Sequence, residues 1–257
     1  MNTESNSLSD PADAMLSRAA GAIERRASAS RSIARLSEPH LLSPAALEAR
    51  RMIHPQEAAR RQADAFREVR TRLLALGDDR NFVTMVAAVS PQSGASFVAR
   101  NLAAAFAFDD TKTALLVDCN LRHPVQHAAL GVAPENGGLI DYLEHPSMGL
   151  EKIIYPTGIP RLRLIPTGTQ RESGGEYYSS FRMRAMVDSL RCRYPDRYLF
   201  LDAPAIKGSP DARMLADLAD FVVLVVGHAR DTATAINRAA ATFGSDKLAG
   251  IVFNQGS

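Results

Sequence analysis

Residues 82–108 read FVTMVAAVSPQSGASFVARNLAAAFAF. The first eight, Phe82–Val89, form an unbroken apolar run, as in a strand covered on both faces. The turn SPQSG comes next, and then an Ala-rich segment with helical composition, predicted over Ser96–Phe108. A phosphate-binding loop has this layout, with the pattern GxxxxGK[ST] between strand and helix. Gly94 and Ser96 stand where the second glycine and the magnesium-binding hydroxyl belong. Val89 stands at the first glycine position, and Ala95 replaces the lysine. Backbone N–H groups and a helix N-terminus still attract phosphate there. The charge that holds the β- and γ-phosphates is missing, which costs affinity and, more severely, phosphoryl transfer. Gln92 adds bulk at a second tight point of the turn. From the loop alone, an ordinary strand–turn–helix with Gly94 as a turn residue is an equal reading.

Strands and helices alternate through the rest of the chain. Strands are predicted at Thr113–Asp118, Arg161–Ile165, Tyr198–Asp202, Phe221–Val226 and Gly250–Phe253. Helices are predicted near Phe181–Arg193, at Asp211–Leu218 and at Asp231–Phe243. Residues 57–76 form a further helix, because Ala65, Phe66, Val69, Leu73 and Leu76 recur at three- and four-residue spacing. The alternation implies right-handed crossovers and a mainly parallel sheet flanked by helices, an α/β class. In such sheets ligands bind beyond the carboxyl ends of the strands. Two strands end in aspartate there, LLVDCNLRHP with Asp118 and LFLDAPAI with Asp202. Each alone is commonly a loop cap. As a pair beside Ser96 they are candidates to orient Mg²⁺ and its waters.

The chain has 257 residues, 30 Lys+Arg and 28 Asp+Glu, a net charge of +2. That balance, with no Trp and 6% aromatics, argues against nucleic acid as a partner. Cys119 and Cys192 are the two cysteines, too few for a disulfide framework or a four-cysteine zinc site. No apolar run approaches a membrane span, and the start MNTESNSLSDPADAML lacks the pattern of a signal peptide. A cytoplasmic location is therefore expected. Residues 1–55 are polar, with Pro11, Pro39, Pro44 and Pro55, and read as a flexible or partly helical tail with an Ala/Arg-rich run at 12–36. Residues 56–257 form the folded domain. His123 and His127 have the i,i+4 spacing of a helical metal pair but lack an evident third ligand.

Taken in order, these segments resemble the cytoplasmic domain of bacterial tyrosine kinases (BY-kinases) of capsule and exopolysaccharide synthesis, within the MinD/ParA-like group of P-loop ATPases. The resemblance covers about residues 60–255. PQSGAS and the adjoining FVARNLAAAFA match the family's PGxGKS/T and NLA. LLVDCNLRHP matches DxDxRxP at Asp118, Arg122 and Pro124, with Asn120 for the second aspartate. LFLDAPAI keeps Asp202 and Pro204 of DxPP. GGLIDYL at 137–143, LIPTG at 164–168 and the closing Asn254 also match. The family's ExxRxxR, which mediates ring packing, corresponds to Asp64, Arg67 and Arg70. The paired tyrosines Tyr177 and Tyr178 fall at apolar family positions.

The resemblance implies a P-loop NTPase-like fold of BY-kinase/MinD type and an ATP/ADP site with Mg. Its residues would be Ser93, Gly94, Ala95, Ser96, Phe97, Arg230 and Asn254, with Ser96, Asp118 and Asp202 at the metal. Asp118 and Asp202 are the only catalytic candidates. It also implies a homo-oligomer and an inner-membrane polysaccharide co-polymerase, or chain-length regulator, as partner. Location would be cytoplasmic, peripheral to the membrane through that partner. The clamp lysine, the second aspartate and a tyrosine-rich tail are all missing from their places. Together these departures imply a pseudokinase in which nucleotide binding is weak or lost. Two alternatives stay open. One is an active, divergent kinase or ATPase in which Lys207 or Arg122 replaces the missing charge. The other is a MinD/ParA-like positioning protein.

Overall fold

The structure is a computed structural model that describes residues 40–54, 56, 60–78, 80–171 and 174–255. The expected tail residues 1–39, including the Ala/Arg-rich run, lie outside the described residues. Seven strands form one sheet in the order β3-β4-β2-β5-β1-β6-β7. They are β1 (Val83–Ala88), β2 (Thr113–Asp118), β3 (Tyr155–Pro156), β4 (Leu162–Ile165), β5 (Arg197–Asp202), β6 (Phe221–Gly227) and β7 (Leu248–Asn254). All neighbours pair in parallel except the two-residue β3.

The helices are α1 (Pro44–Ala49), α2 (Arg60–Gly77), α3 (Ala95–Ala107), α4 (Gln126–Leu130), α5 (Leu139–Glu144), α6 (Gly175–Tyr178), α7 (Phe181–Arg193), α8 (Asp211–Ala216) and α9 (Ala233–Ala240). The long predicted elements appear within a few residues of their expected limits. Short α1, α4, α5 and α6 were not predicted, because four to six residues carry too little periodicity to read.

Every residue of β1, β2, β4 and β5 is buried, which accounts for the apolar stretches in them, although Arg163 of β4 and Arg197 of β5 are buried as well. One face packs under α3, whose run of alanines lets the helix sit close to the sheet, with Phe82, Phe106, Tyr198 and Phe200 filling the lower end. Phe82 meets Tyr198 edge-on at 4.8 Å between ring centroids. The opposite face packs against α5, α7 and α8 through residues such as Leu143, Met186 and Leu215.

The boundary expected after residue 55 is corrected by this packing. Leu47, Met52 and Ile53 are buried in the α3-side core, and Leu42 N–H donates to the Gly158 carbonyl at 2.9 Å. The buried Asn101 of α3 ties the segment down. Its Oδ1 accepts from Ile53 N–H at 2.7 Å, and its Nδ2 donates to the Arg51 carbonyl at 3.1 Å. Residues 42–54 are thus a clasp on the domain.

Candidate nucleotide site

The turn after β1 is held from two neighbouring strand ends. Gln92 (φ +63°) and Gly94 (φ +88°) both occupy the left-handed region. A Cβ at 94 would also lie 2.0 Å from Asn254 Nδ2 and would push that side chain aside. That amide donates to the Ser93 carbonyl at 3.0 Å. Ser93 is buried and its hydroxyl donates to Asp231 Oδ2 at 3.3 Å, the oxygen that also accepts Gly227 N–H at 3.1 Å. Arg230 approaches Gln92 Oε1 at 3.4 Å. The structure thus brings together Ser93, Gly94, Ala95, Ser96, Phe97, Arg230 and Asn254. Gly94 gives α3 no side-chain cap, so its first-turn amides are available to an anion. A phosphate fits this cradle. Ala95 contributes a methyl group and no charge.

The two acidic strand ends lie side by side, Asp118 paired with Asp202 across β2 and β5. Both are fully buried. Asp118 is saturated: Oδ1 accepts Asn120 N–H at 3.1 Å, and Oδ2 accepts Val125 and Gln126 N–H at 3.1 and 3.0 Å. That arrangement makes Asp118 an organiser of the turn after β2 and takes up most of its acceptor capacity. Asp202 differs. Its Oδ2 accepts from Gln126 Nε2 at 2.6 Å, while its Oδ1 and Gln126 Oε1 are buried without a hydrogen-bond partner. Burial, then the Asp118 charge, pushes the Asp202 carboxyl up to about 7, against opposing pull from Gln126, Ser96 and Arg100. Burial raises Asp118 as well, opposed by its backbone hydrogen bonds. Of the expected metal set, Ser96 and Asp202 keep acceptor capacity to spare. A magnesium ion retains several waters and needs only one or two protein ligands, so this pair fits one carried by a nucleotide.

Loop and turn enclose a cleft of about 560 Å³, walled also by Asn120, Arg122, His123, Pro204 and the exposed Lys207. Both candidate replacement cations thus line the same cleft as Ala95. His123 precedes α4, whereas His127 lies within it, so the two do not share a helix face. Among the described residues no group of three His, Cys, Asp or Glu is placed to hold a metal ion.

GGLIDYL and LIPTG prove to be one device. Asp141 of GGLIDYL accepts Gly138 N–H at 2.8 Å and both the amide and hydroxyl of Thr169, just after LIPTG. A Cβ on Gly138 would lie 2.2 Å from the Pro166 carbonyl. Thr167 Oγ1 then donates to the Asp118 carbonyl at 2.9 Å, so the clamp braces the end of β2. Tyr178 is buried with its hydroxyl on the Cys119 carbonyl. Tyr177 is half-buried with its hydroxyl 2.6 Å from Glu144 Oε1. Along α2, Asp64 and Arg67 form an exposed pair at 2.8 Å. Arg70 does not join them: it is half-buried and donates to the Ala105 carbonyl at 2.8 Å, capping the end of α3.

No protein-family model matches the chain. Among curated proteins it is 29% identical over 194 residues to tyrosine-protein kinase Wzc of Salmonella typhimurium, covering 74% of this chain and 26% of that protein. It is 29% identical over 209 residues to tyrosine-protein kinase YwqD of Bacillus subtilis, covering 80% and 86%. The chain is homologous to bacterial tyrosine-protein kinases. It spans about a quarter of the length of the first curated relatives it matches, 22% to 26%. Solved structures agree with this homology. The chimerical protein CapA2B2 matches at TM-score 0.67 and 26% identity over 74% of this chain and 83% of that one. The kinase domain of Escherichia coli tyrosine kinase ETK matches at 0.65 and 25%, over 75% and 74%. The septum site-determining protein MinD of Pyrococcus horikoshii, complexed with Mg-ADP, shares the fold at 0.53 and 20% over 67% and 69%. The parallel sheet and its flanking helices thus have the fold of P-loop NTPases, the class expected from the sequence.

Proposed function

We propose that this protein is a catalytically impaired tyrosine-kinase homologue that acts through its assembly state in bacterial exopolysaccharide or capsule synthesis. It docks, on this reading, on an inner-membrane polysaccharide co-polymerase from the cytoplasmic side. No helix among the described residues is long and apolar enough to cross a membrane, which suits attachment through a partner. The observation that carries the proposal is a glycine turn between β1 and α3, held by Asn254 and Asp231, with an alanine at the charge position of the motif. Ser93, Gly94 and Asn254 build the cradle, while Ala95 and Asn120 replace the clamp and the second aspartate of the family motif.

A bound nucleotide would supply the phosphates and magnesium that the fold class implies. The protein's share is to bind them on the α3 amides, hold a metal-bound water network at Ser96 and Asp202, and keep the loop rigid through Asn254 and Asp231. Without a cation at 95, transition-state charge on a transferred phosphoryl group is unopposed there, a loss of several orders of magnitude in rate. Asp64 and Arg67 remain exposed for contact between copies.

Calorimetry with Mg-ATP and Mg-ADP, beside Ala95→Lys and a tyrosine-phosphorylation assay, tests this reading. Weak or absent binding in the parent and gain of affinity in the variant support it; tyrosine phosphorylation by the parent overturns it. The active-enzyme alternative draws on Lys207 and Arg122, which line the cleft. It requires turnover that Lys207→Ala or Arg122→Ala abolishes. A MinD-like positioning role fits the structural likeness less well, at TM-score 0.53 against 0.65 for the tyrosine kinase domain.

A further inference from the structure

Gln126 opens α4 and is fully buried. Its backbone N–H donates to Asp118 Oδ2 at 3.0 Å, which pins its main chain to the end of β2. Its side-chain amide nitrogen carries two hydrogens. Nε2 donates to Asp202 Oδ2 at 2.6 Å and to the Ser96 carbonyl at 2.9 Å. A single amide group therefore bridges the end of β5 and the first turn of α3. Those are the two places that carry the spare metal-binding oxygens, on Asp202 and Ser96.

Packing alone does not account for an amide there. Gln126 Oε1 is buried without a hydrogen-bond partner, an arrangement unfavourable to stability in itself. An apolar side chain of the same volume would fill the space without burying a lone carbonyl. It could not tie Ser96 to Asp202. The sheet does not make that tie either. Its register pairs Asp202 with Val86 of β1, and the turn SPQSG lies between that strand and Ser96, so strand pairing leaves their separation open. Magnesium demands near-octahedral geometry with short bonds, so the separation of its ligands matters. Groups that hold a metal's ligands orient them, and losing one typically costs about 10- to 100-fold in metal affinity. By taking Oδ2, Gln126 leaves Oδ1 as the oxygen that Asp202 can offer. By holding the Ser96 carbonyl, it fixes the residue whose hydroxyl is the other candidate ligand.

We propose that Gln126 is the positioning residue of the magnesium pair: its Nε2 sets Ser96 against Asp202 for a metal carried by a nucleotide. Asp118, saturated by backbone amides, anchors Gln126 and acts on the pair through it. This rests on the reading of the loop as a nucleotide site, and it adds a residue outside the motifs that carry that reading.

The full chain is titrated calorimetrically with ADP in EDTA and over a series of Mg²⁺ concentrations, in the parent and in an Ala95→Lys background. Two quantities are compared: ADP affinity in EDTA, and the Mg²⁺ concentration that gives half of the metal-dependent gain in affinity. Gln126→Met keeps the volume and loses both donations. It raises the half-gain concentration about tenfold or more, while ADP affinity in EDTA stays within about twofold. Gln126→Asn, whose amide falls one methylene short, moves the same way and serves if Gln126→Met does not fold. Thr113→Val is the control, since it removes a buried hydrogen bond to Asp196 at the opposite end of β2; its half-gain concentration matches the parent's. An unchanged half-gain concentration in the Gln126 variants overturns the proposal. An equal loss of ADP affinity with and without metal also overturns it, showing a purely structural role, as does a shift of the same size in Thr113→Val. ADP binding that Mg²⁺ does not strengthen in either background overturns the proposal and leaves the nucleotide reading standing. Absence of ADP binding in both backgrounds overturns the nucleotide reading itself, and this proposal with it.

Discussion

Asp118 and Asp202 end adjacent parallel strands in register, are equally buried, and close the same kind of apolar run. Yet one is saturated by three backbone N–H groups and the other keeps an unpartnered oxygen. The difference lies in the path of the chain beyond each strand. After Asp118 the residues CNLRHPVQ curl back and aim the amides of Asn120, Val125 and Gln126 at the carboxylate. After Asp202 the amides of Ala203, Ile206 and Lys207 are all given to β1 carbonyls and to Val89 just beyond, at Val86, Ala88 and Val89 in turn, and Pro204 has no N–H to offer. A carboxylate at a strand end is therefore a turn organiser or a site residue according to where the next few amides go.

Neutralising each acid in turn tests that distinction most severely. Asp118→Asn sets an amide donor or a weakened acceptor against three N–H groups in a buried place. We expect a loss of about 3 kcal/mol of stability in urea unfolding. Asp202→Asn can keep its oxygen on Gln126 Nε2 and removes one of two adjacent buried charges, so its cost stays below about 1 kcal/mol. Equal losses in the two variants would show that both acids serve the fold alone.

The same contrast has a pH dependence. Asp202 is held near 7 in the folded protein, against about 3.9 for an unperturbed aspartate. Between those values the folded state binds the extra proton, so this group's contribution is most favourable at or below about pH 4 and declines as pH rises towards 7. Asp118 is shifted in the same direction. Groups such as Asp109, lowered to about 2 by its hydrogen bonds with Lys112 and Thr111 despite burial, act oppositely, and only below about pH 4. Unfolding measured at about pH 5 and about pH 7.5, either side of the Asp202 value, isolates the effect in the parent and Asp202→Asn. The stability of the variant relative to the parent should rise across that interval; a constant difference would mean that Asp202 is ionised throughout.

The core strands and the loop were legible because two-sided burial leaves unbroken apolar runs, and because Gly94, Ser96 and Asn254 fall at or just beyond strand ends. Asp118 and Asp202 were not separable, since the deciding feature is the path of later amides. The clasp was misread as tail because three prolines and many polar residues surround its few anchors, Leu47, Met52 and Ile53. One signal was available: Asn101 is a poor helix former amid Ala, Leu and Phe, and a buried Asn must find partners. The family match placed Arg70 with Asp64 and Arg67, and it does not show that Arg70 also reaches the Ala105 carbonyl at the α3 terminus.

The clasp anchor gives the next effect in size. Asn101→Ala strands the Ile53 amide and the Arg51 carbonyl and frees the backbone that positions Arg51. About 2 kcal/mol of stability should be lost, with faster amide exchange at Ile53 than in β1 or β5. Protection at Ile53 equal to the parent's would show that the apolar contacts of Met52 and Ile53 hold the segment unaided.

The smallest stability effect separates Arg67 from Arg70 on α2. Asp64 and Arg67 are about half exposed, and solvent screening reduces such an i,i+3 pair to under about 0.5 kcal/mol. Arg67→Ala should therefore leave the melting curve nearly unchanged. Arg70→Ala should lower it more, because the Ala105 carbonyl at the end of α3 loses its guanidinium partner. Sedimentation of the same variants reads association independently of stability. If exposed charges on α2 join copies of the chain, Arg67→Ala shifts the distribution towards monomer at unchanged stability. An unshifted distribution assigns the Asp64–Arg67 pair to a solvated helix face, and places any contact between copies elsewhere.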